Sequence, residues 1–396
     1  MNSDRDVVIT GAVRTAIGSF GGSLASLPPT ELGTRVIREA VARGGIEPGE
    51  VGQVVFGQVI QTEPKDLYLA RVAAMGAGIP KEVPAMTLNR LCGSGLQAIV
   101  SAAQMIMLGD TDVTVAGGAE SMSRAPYTLP DARFGKKMGD SGVVDMLTSA
   151  LTDPFGNGHM GVTAENVASD SQITREQQDA FALESHRRAV RALDEGRFRD
   201  QILPVEVAVG KEKRDFVRDE HARADASAAN LAKLRAVFKE GGTVTAGNAS
   251  GINDGAAAVT LMTRAEAVRR KLNPLGRLVA YGHAGVDPSR MGMGPVPAVK
   301  AALAKAGLSV SQMDVIESNE AFAAQACAVA KELGFSDEKT NPNGGAIALG
   351  HPVGATGAII MVKLLYELQR IGGRYGLATM CIGGGQGIAA IVERES

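Results

Sequence analysis

The feature that most constrains this chain is a pattern that occurs twice. In the first half an apolar run at residues 85–88 leads into Asn89-Arg90-Leu91-Cys92-Gly93-Ser94-Gly95, and an apolar helix follows. In the second half Leu349-Gly350-His351-Pro352-Val353-Gly354-Ala355-Thr356-Gly357 opens an apolar helix in the same way. A strand and glycines come next in each half, at residues 113–118 and 377–385. Upstream, residues 38–45 lead into Val54-Val55 much as residues 298–307 lead into Val315-Ile316. Alternating strands and helices predict an α/β core with a mostly parallel sheet. A repeated unit of this kind predicts a duplicated fold. Its two glycine-rich turns would face each other across a pseudo-two-fold, bringing Cys92 and His351 together from 259 positions apart.

The first turn carries the sharper chemistry. Residues 85–88 read as a buried strand. From Leu96 the only polar positions are Gln97, Ser101 and Gln104, on one stripe of a helix that is otherwise buried. Cys92 lies where the strand becomes the helix, beside unpaired N–H groups that favour negative charge, so its thiolate form is expected to be favoured. Gly93 and Gly95 let a substrate approach the backbone closely. His351 is the expected base for the Cys92 proton. His186 and His221 stand in charged, exposed surroundings and are poor partners. Cys381 precedes Ile382-Gly383-Gly384-Gly385, a run that would expose its sulfur and free backbone N–H groups for an oxyanion. A second thiol there could form a disulfide or act as an acid/base. Asn319 follows a strand and could orient a water or a carbonyl. Cys327, among alanines, reads as a small core residue.

The chain of 396 residues is 45% apolar, enough for two or three domains with an ample core. A net charge of −2 gives no reason to expect nucleic acid or a membrane surface as partner. The first six residues carry charges where a signal peptide needs an apolar stretch, and no uninterrupted apolar stretch reads as long enough to span a bilayer. Three cysteines cannot all pair and match no zinc spacing, which points to a reducing compartment and no metal. From about residue 121 to 250 prolines and charges are frequent. The expected division is therefore an N-terminal core domain at residues 1–121 and 251–271, an inserted domain at 122–250, and a C-terminal core domain at 272–396. Pro29-Thr30-Glu31 opens a helix, with Thr30 a candidate for its cap.

One rival reading is a dinucleotide-binding oxidoreductase. Gly93-Ser94-Gly95-Leu96-Gln97-Ala98 fits G-x-G-x-x-A after a strand, and Glu120 ends the next strand. It would leave Cys92, His351 and Cys381 without roles.

Residues 89–95, 319–325, 344–357 and 380–387 resemble the four signature regions of the thiolases, most closely the acetyl-CoA acetyltransferases and short-chain β-ketothiolases. The resemblance extends to residues 14–18, 159–161 and 243–251, and so covers essentially the whole chain. It implies a duplicated five-layer αβαβα core with an inserted loop domain. It also implies reversible Claisen condensation of two acetyl-CoA to acetoacetyl-CoA plus CoA through an acyl-cysteine, with a degradative 3-ketoacyl-CoA thiolase of broader chain length as the alternative. Cys92 would carry the acyl group. His351 would take its proton and help hold the thioester oxygen of the second substrate, with Asn319 positioning a water in that hole. Cys381 would move the α-proton, and the N–H groups of Cys92 and Gly383 would form the other hole. His159, Met160, Arg223, Phe238 and Ser250 fall where the family contacts CoA, with Met291, Ala321 and Phe322 at the acyl end. Met160 and Met291 would favour short chains. Ala236 departs from a common proline in the CoA loop. CoA thioesters would be substrates, with no further cofactor. Residues 124–140 resemble a loop that joins dimers into tetramers, and the expected enzyme is a cytoplasmic homotetramer. A decarboxylating ketoacyl synthase shares the fold, and Cys381 argues against it.

Overall fold

A computed structural model describes residues 5–395. The N-terminal half runs β1 (Val7–Thr15), α1 (Pro29–Arg43), β2 (Gln53–Gly57), α2 (Leu69–Gly76), β3 (Ala85–Leu88), α3 (Ser94–Leu108) and β4 (Val113–Ser121). A long excursion carries α4 (Met160–Ser171) and α5 (Arg175–Asp194) before the chain returns as β5 (Asn253–Thr263). The C-terminal half follows as β6 (Gly276–Gly285), α6 (Pro295–Ala306), β7 (Val315–Ser318), α7 (Ala323–Leu333), α8 (Thr356–Ile371), β8 (Tyr375–Ile382) and β9 (Gln386–Glu393).

The duplication is visible in the strand order. The first half is ordered β3-β2-β4-β5-β1 and the second β7-β8-β9-β6. Thr340 bridges Ile316 in parallel fashion outside β7, at the place that β3 occupies in the first half. The halves join where Val8 and Ile9 pair with Arg277 and Gly276. α3 and α8 pack on each other between the two half-sheets, α1 and α2 cover one outer face, and α6 and α7 lie over the other, giving the layers αβαβα.

The sheet is more mixed than predicted. β2, β3 and β4 are parallel, as are β7 and β8, but β5 and β9 run antiparallel to their neighbours. The cause is local: β8 and β9 are joined by the tight turn Gly383-Gly384-Gly385, which only antiparallel strands can use. Gly384 and Gly385 take φ of +81° and +85° there, which an L side chain resists. In the first half the equivalent link between β4 and β5 is replaced by the excursion.

α3 buries Leu96, Ile99, Val100 and Ile106 completely, each worth about 1.5–3 kcal/mol. Its half-buried stripe is Gln97, Ser101 and Gln104, with Gln97 donating to Ser101 and Gln104 to the Tyr281 hydroxyl. By composition, residues 91–108 are apolar enough to cross a membrane, contrary to expectation, but this stretch is the core helix and its capping turn. β3 is half-buried rather than buried, because it ends the sheet and one edge is unpaired. Thr30 does not cap α1. Pro28 occupies the cap without a side-chain bond, and Pro29 at the first helical position presets the backbone.

The two central helices meet almost without side chains. A Cβ placed on Gly95 would stand 2.7 Å from the Ala358 nitrogen, and one on Gly357 would overlap the Leu96 nitrogen. Glycine at these positions lets the two turns touch backbone to backbone.

Candidate active site

The Cys92 turn is held by its own neighbours. Asn89 Oδ1 accepts the Leu91 N–H at 2.8 Å. Ser94 Oγ accepts the Arg90 N–H at 2.8 Å and donates to the Leu91 carbonyl at 2.7 Å. These bonds hold Leu91 at φ +45°, a left-handed conformation that costs a non-glycine residue about 1–2 kcal/mol. The result is a sharp elbow with Cys92 at its tip and α3 starting immediately after.

His351 sits at the facing turn. Asn253, buried at the start of β5, accepts its backbone N–H at 2.9 Å and donates to the Gly18 carbonyl at 3.0 Å. His351 Nδ1 lies 2.7 Å from Thr356 Oγ1, which donates its own proton to the Pro352 carbonyl at 2.9 Å. The hydroxyl can therefore only accept from the ring, so Nδ1 carries the hydrogen and Nε2 presents a lone pair. Burial pushes the His351 pKa down to about 4, so the ring is neutral at physiological pH and able to take a proton.

Both turns open into one cavity of about 530 Å³. Its wall includes Cys92, His351, Cys381 and Gly383 together with His159, Met160, Arg223, Phe238, Ser250, Met291, Ala321 and Phe322. Asn319 alone among the expected residues is not on this wall. It lies one layer behind, with Nδ2 3.5 Å from His351 Nε2.

The expected thiolate preference at Cys92 is not what the surroundings favour. Packing of protein around the thiol pushes its pKa up, and the nearby Glu120 carboxyl adds to this. The N–H groups of Gly383 and of Cys92 itself reach the sulfur and pull the other way without prevailing. The helix start lies at the junction of two halves that exclude water, so desolvation outweighs the local dipole. Cys92 therefore rests as a thiol. Burial also raises the pKa of Cys381, reinforced by Cys92 beside it. Cys327 is half-buried on α7, away from the cavity, with its pKa pushed up to about 12.

The inserted segment shapes the mouth. Phe238 stacks on His159 with ring centroids 4.6 Å apart, and meets Phe322 edge-on at 6.1 Å. The His159 ring caps α4 by accepting the Gly161 N–H at 3.0 Å. The Ser250 N–H donates to the Ala321 carbonyl at 3.0 Å, fixing the return of the insertion against the 319–322 loop. Met160, Met291, Ala321, Phe322 and Cys381 form one apolar cluster. Arg223 is exposed at the rim.

Two sequence expectations fail here. His186 is buried, accepts the Arg223 N–H at 3.2 Å, and has its pKa pushed down to about 4 by burial. His221 lines the cavity itself. Both stand in runs of charges that look solvated, but the segment around Arg223 packs against His186 on α5. A second apolar wall, made by Leu91, Met122, Leu151, Ile252 and Val353, has no motif of its own in the sequence. Glu120 is fully buried and accepts N–H groups of Val59, Ile60 and Gly354 at 2.9–3.2 Å. Burial pushes its pKa up to about 8 against those donors. It pins the His351 turn to the first half and, wholly buried, cannot reach a ribose, which removes the dinucleotide reading.

The family model described as thiolase, N-terminal domain matches residues 7–265, and that described as thiolase, C-terminal domain matches residues 272–394. The chain belongs to the thiolase family. This thiolase is 65% identical over 391 residues to beta-ketothiolase BktB of Cupriavidus necator, covering 98% of this chain and 99% of that one. Among solved structures it resembles the acetyl-CoA acetyltransferase of Bacillus anthracis, at a TM-score of 0.97 and 47% identity over the whole of both chains. The human mitochondrial 3-ketoacyl-CoA thiolase in complex with CoA gives a TM-score of 0.96 and 46% identity, covering 100% of this chain and 99% of that one. The fold is thus the thiolase fold, and the protein is an acyltransferase.

Proposed function

We propose that this thiolase condenses two acetyl-CoA to acetoacetyl-CoA and CoA, and runs the reverse thiolysis. The observation that carries this is the single cavity shared by Cys92, His351 and Cys381. His351 Nε2 takes the Cys92 proton as the sulfur attacks the thioester carbon. The bond to CoA breaks, and the departing CoA sulfur takes the proton from His351, leaving acetyl-Cys92. Cys381, as thiolate, removes an α-proton from the second acetyl-CoA. The carbanion attacks the acetyl carbon, and the departing Cys92 sulfur takes the α-proton from Cys381, which is left as the thiolate it began as. The N–H groups of Gly383 and Cys92 serve one developing oxyanion, while His351 and a water on Asn319 serve the other. A raised pKa makes the Cys381 thiolate a stronger base once formed. Two thiols, an imidazole and backbone donors balance every step, and free thiols at Cys92, Cys327 and Cys381 suit a reducing cytoplasm.

CoA would enter past Arg223, His159 and Phe238, with its acyl end at Met160, Met291 and Phe322. Relatives named acetyl-CoA acetyltransferase and beta-ketothiolase, and a neighbour solved with CoA, support this reading. A ladder of 3-ketoacyl-CoA substrates tests it. Thiolysis should be fastest for acetoacetyl-CoA, with kcat/KM falling about tenfold for each methylene that no longer fits. A flat profile into medium chains would favour the broader degradative reading.

We read the assembly as a tetramer of paired dimers. The segment after β4 exposes Leu129, Phe134 and Met138, with Phe134 96% and Met138 87% accessible. Apolar side chains so exposed on a surface arm suit a contact with further copies. The double variant Phe134→Asp/Met138→Asp should sediment as a dimer with its activity largely kept. Persistent tetramers, or a wild type that is already dimeric, would reject the assignment.

A further inference from the structure

Asn319 also lines a second, separate space of about 10 Å³, the size of one water molecule. Glu317, Asn319, Thr356 and Lys363 all line it. Two of these carry buried acceptor atoms with no partner, Glu317 Oε1 and Asn319 Oδ1. The other Glu317 oxygen accepts from Lys363 Nζ at 2.7 Å, and Lys363 donates a second hydrogen to the Gly344 carbonyl at 2.8 Å. Both side chains of this ion pair are almost wholly buried, at 3% and 1% exposure. An ammonium has three hydrogens, so one remains. The inventory around the space is then two orphan acceptors and one spare donor, which is what a single water satisfies with three bonds.

We propose that Glu317, paired with Lys363, is a positioning residue that aims Asn319 through one buried water. The water donates to Glu317 Oε1 and Asn319 Oδ1 and accepts from Lys363. With its oxygen held from behind, the Asn319 amide must present its NH₂ towards His351 Nε2, where the lone pair stands. The flipped amide would set oxygen against that lone pair and NH₂ against Lys363. The ion pair, one layer further out, thereby fixes which end of Asn319 faces the substrate. This rests on the proposed role of Asn319 in the hole that serves the second acetyl-CoA.

A crystal structure that resolves ordered solvent should place a water within hydrogen-bond distance of both Asn319 Oδ1 and Glu317 Oε1. An empty space, or solvent touching neither atom, overturns the proposal. Glu317→Gln keeps the shape but, with its oxygen held by Lys363, turns a donor towards the water. Transfer of acetyl from acetyl-CoA to Cys92 should stay within about twofold, while α-proton exchange of acetyl-CoA with solvent falls about tenfold or more at unchanged KM. The double variant Glu317→Met/Lys363→Met removes both charges at similar volume and guards against misfolding. It should unfold cooperatively and show the same selective loss. Wild-type exchange in either folded variant, or equal losses in both half-reactions, overturns the proposal. A wild-type protein that exchanges no α-proton would instead sink the functional reading, with the crystallographic water still standing on its own.

Discussion

Cys92→Ser is expected to lower thiolysis of acetoacetyl-CoA by about four orders of magnitude or more, in line with losing a covalent nucleophile. The substitution is close to isosteric, and the N–H groups of Gly383 and Cys92 that reach the sulfur would find an oxygen instead. Folding should therefore survive, and thermal unfolding of the variant should match the parent within a few degrees. The loss is chemical. A hydroxyl gives up its proton far less readily than a thiol, and burial already works against the anion at this position. A neutral imidazole with its pKa near 4 cannot make up that difference. Steady-state thiolysis with the folded variant is the measurement, and turnover above about one per cent of the parent would remove Cys92 as the acyl carrier.

Cys381→Ser should divide the reaction. Radiolabelled acetyl-CoA should still acetylate Cys92, because His351 and the turn that holds Cys92 are untouched. Exchange of the acetyl-CoA α-proton with solvent should fall by about a thousandfold, the scale of losing a well-placed general base. Cys381 is completely buried in the apolar cluster with Met160, Met291 and Phe322. Loss of labelling with exchange retained would mean that the two sulfurs have each other's role.

Much of this architecture can be read before any coordinates, and the reason is local. The paired turns announce themselves because a strand, a glycine-flanked polar residue and an apolar helix lie within about a dozen positions, twice. Duplication then places Cys92 opposite His351. What cannot be read depends on distant packing. β3 looks like a buried strand until topology puts it at the edge. The Cys92 thiol seems activated by its helix until the opposing half shuts out water. His221 looks solvated in its charged run until the insertion folds over the cavity. Asn253, Thr356 and the Glu317–Lys363 pair act through one or two hydrogen bonds each, some with partners far away in sequence. No periodicity carries that information.

The bare contact between the two central helices has a consequence for how such an enzyme can change. Where Gly95 meets Ala358 and Gly357 meets Leu96, the distance between the Cys92 and His351 turns is set by main-chain thickness alone. Any added carbon there would push the halves apart and misalign every donor together. The apolar walls around Leu151, Met160 and Met291 lie off that contact. New acyl groups can therefore be accommodated by recutting the walls while the reacting atoms keep their spacing, so substrate range and catalytic geometry can drift independently.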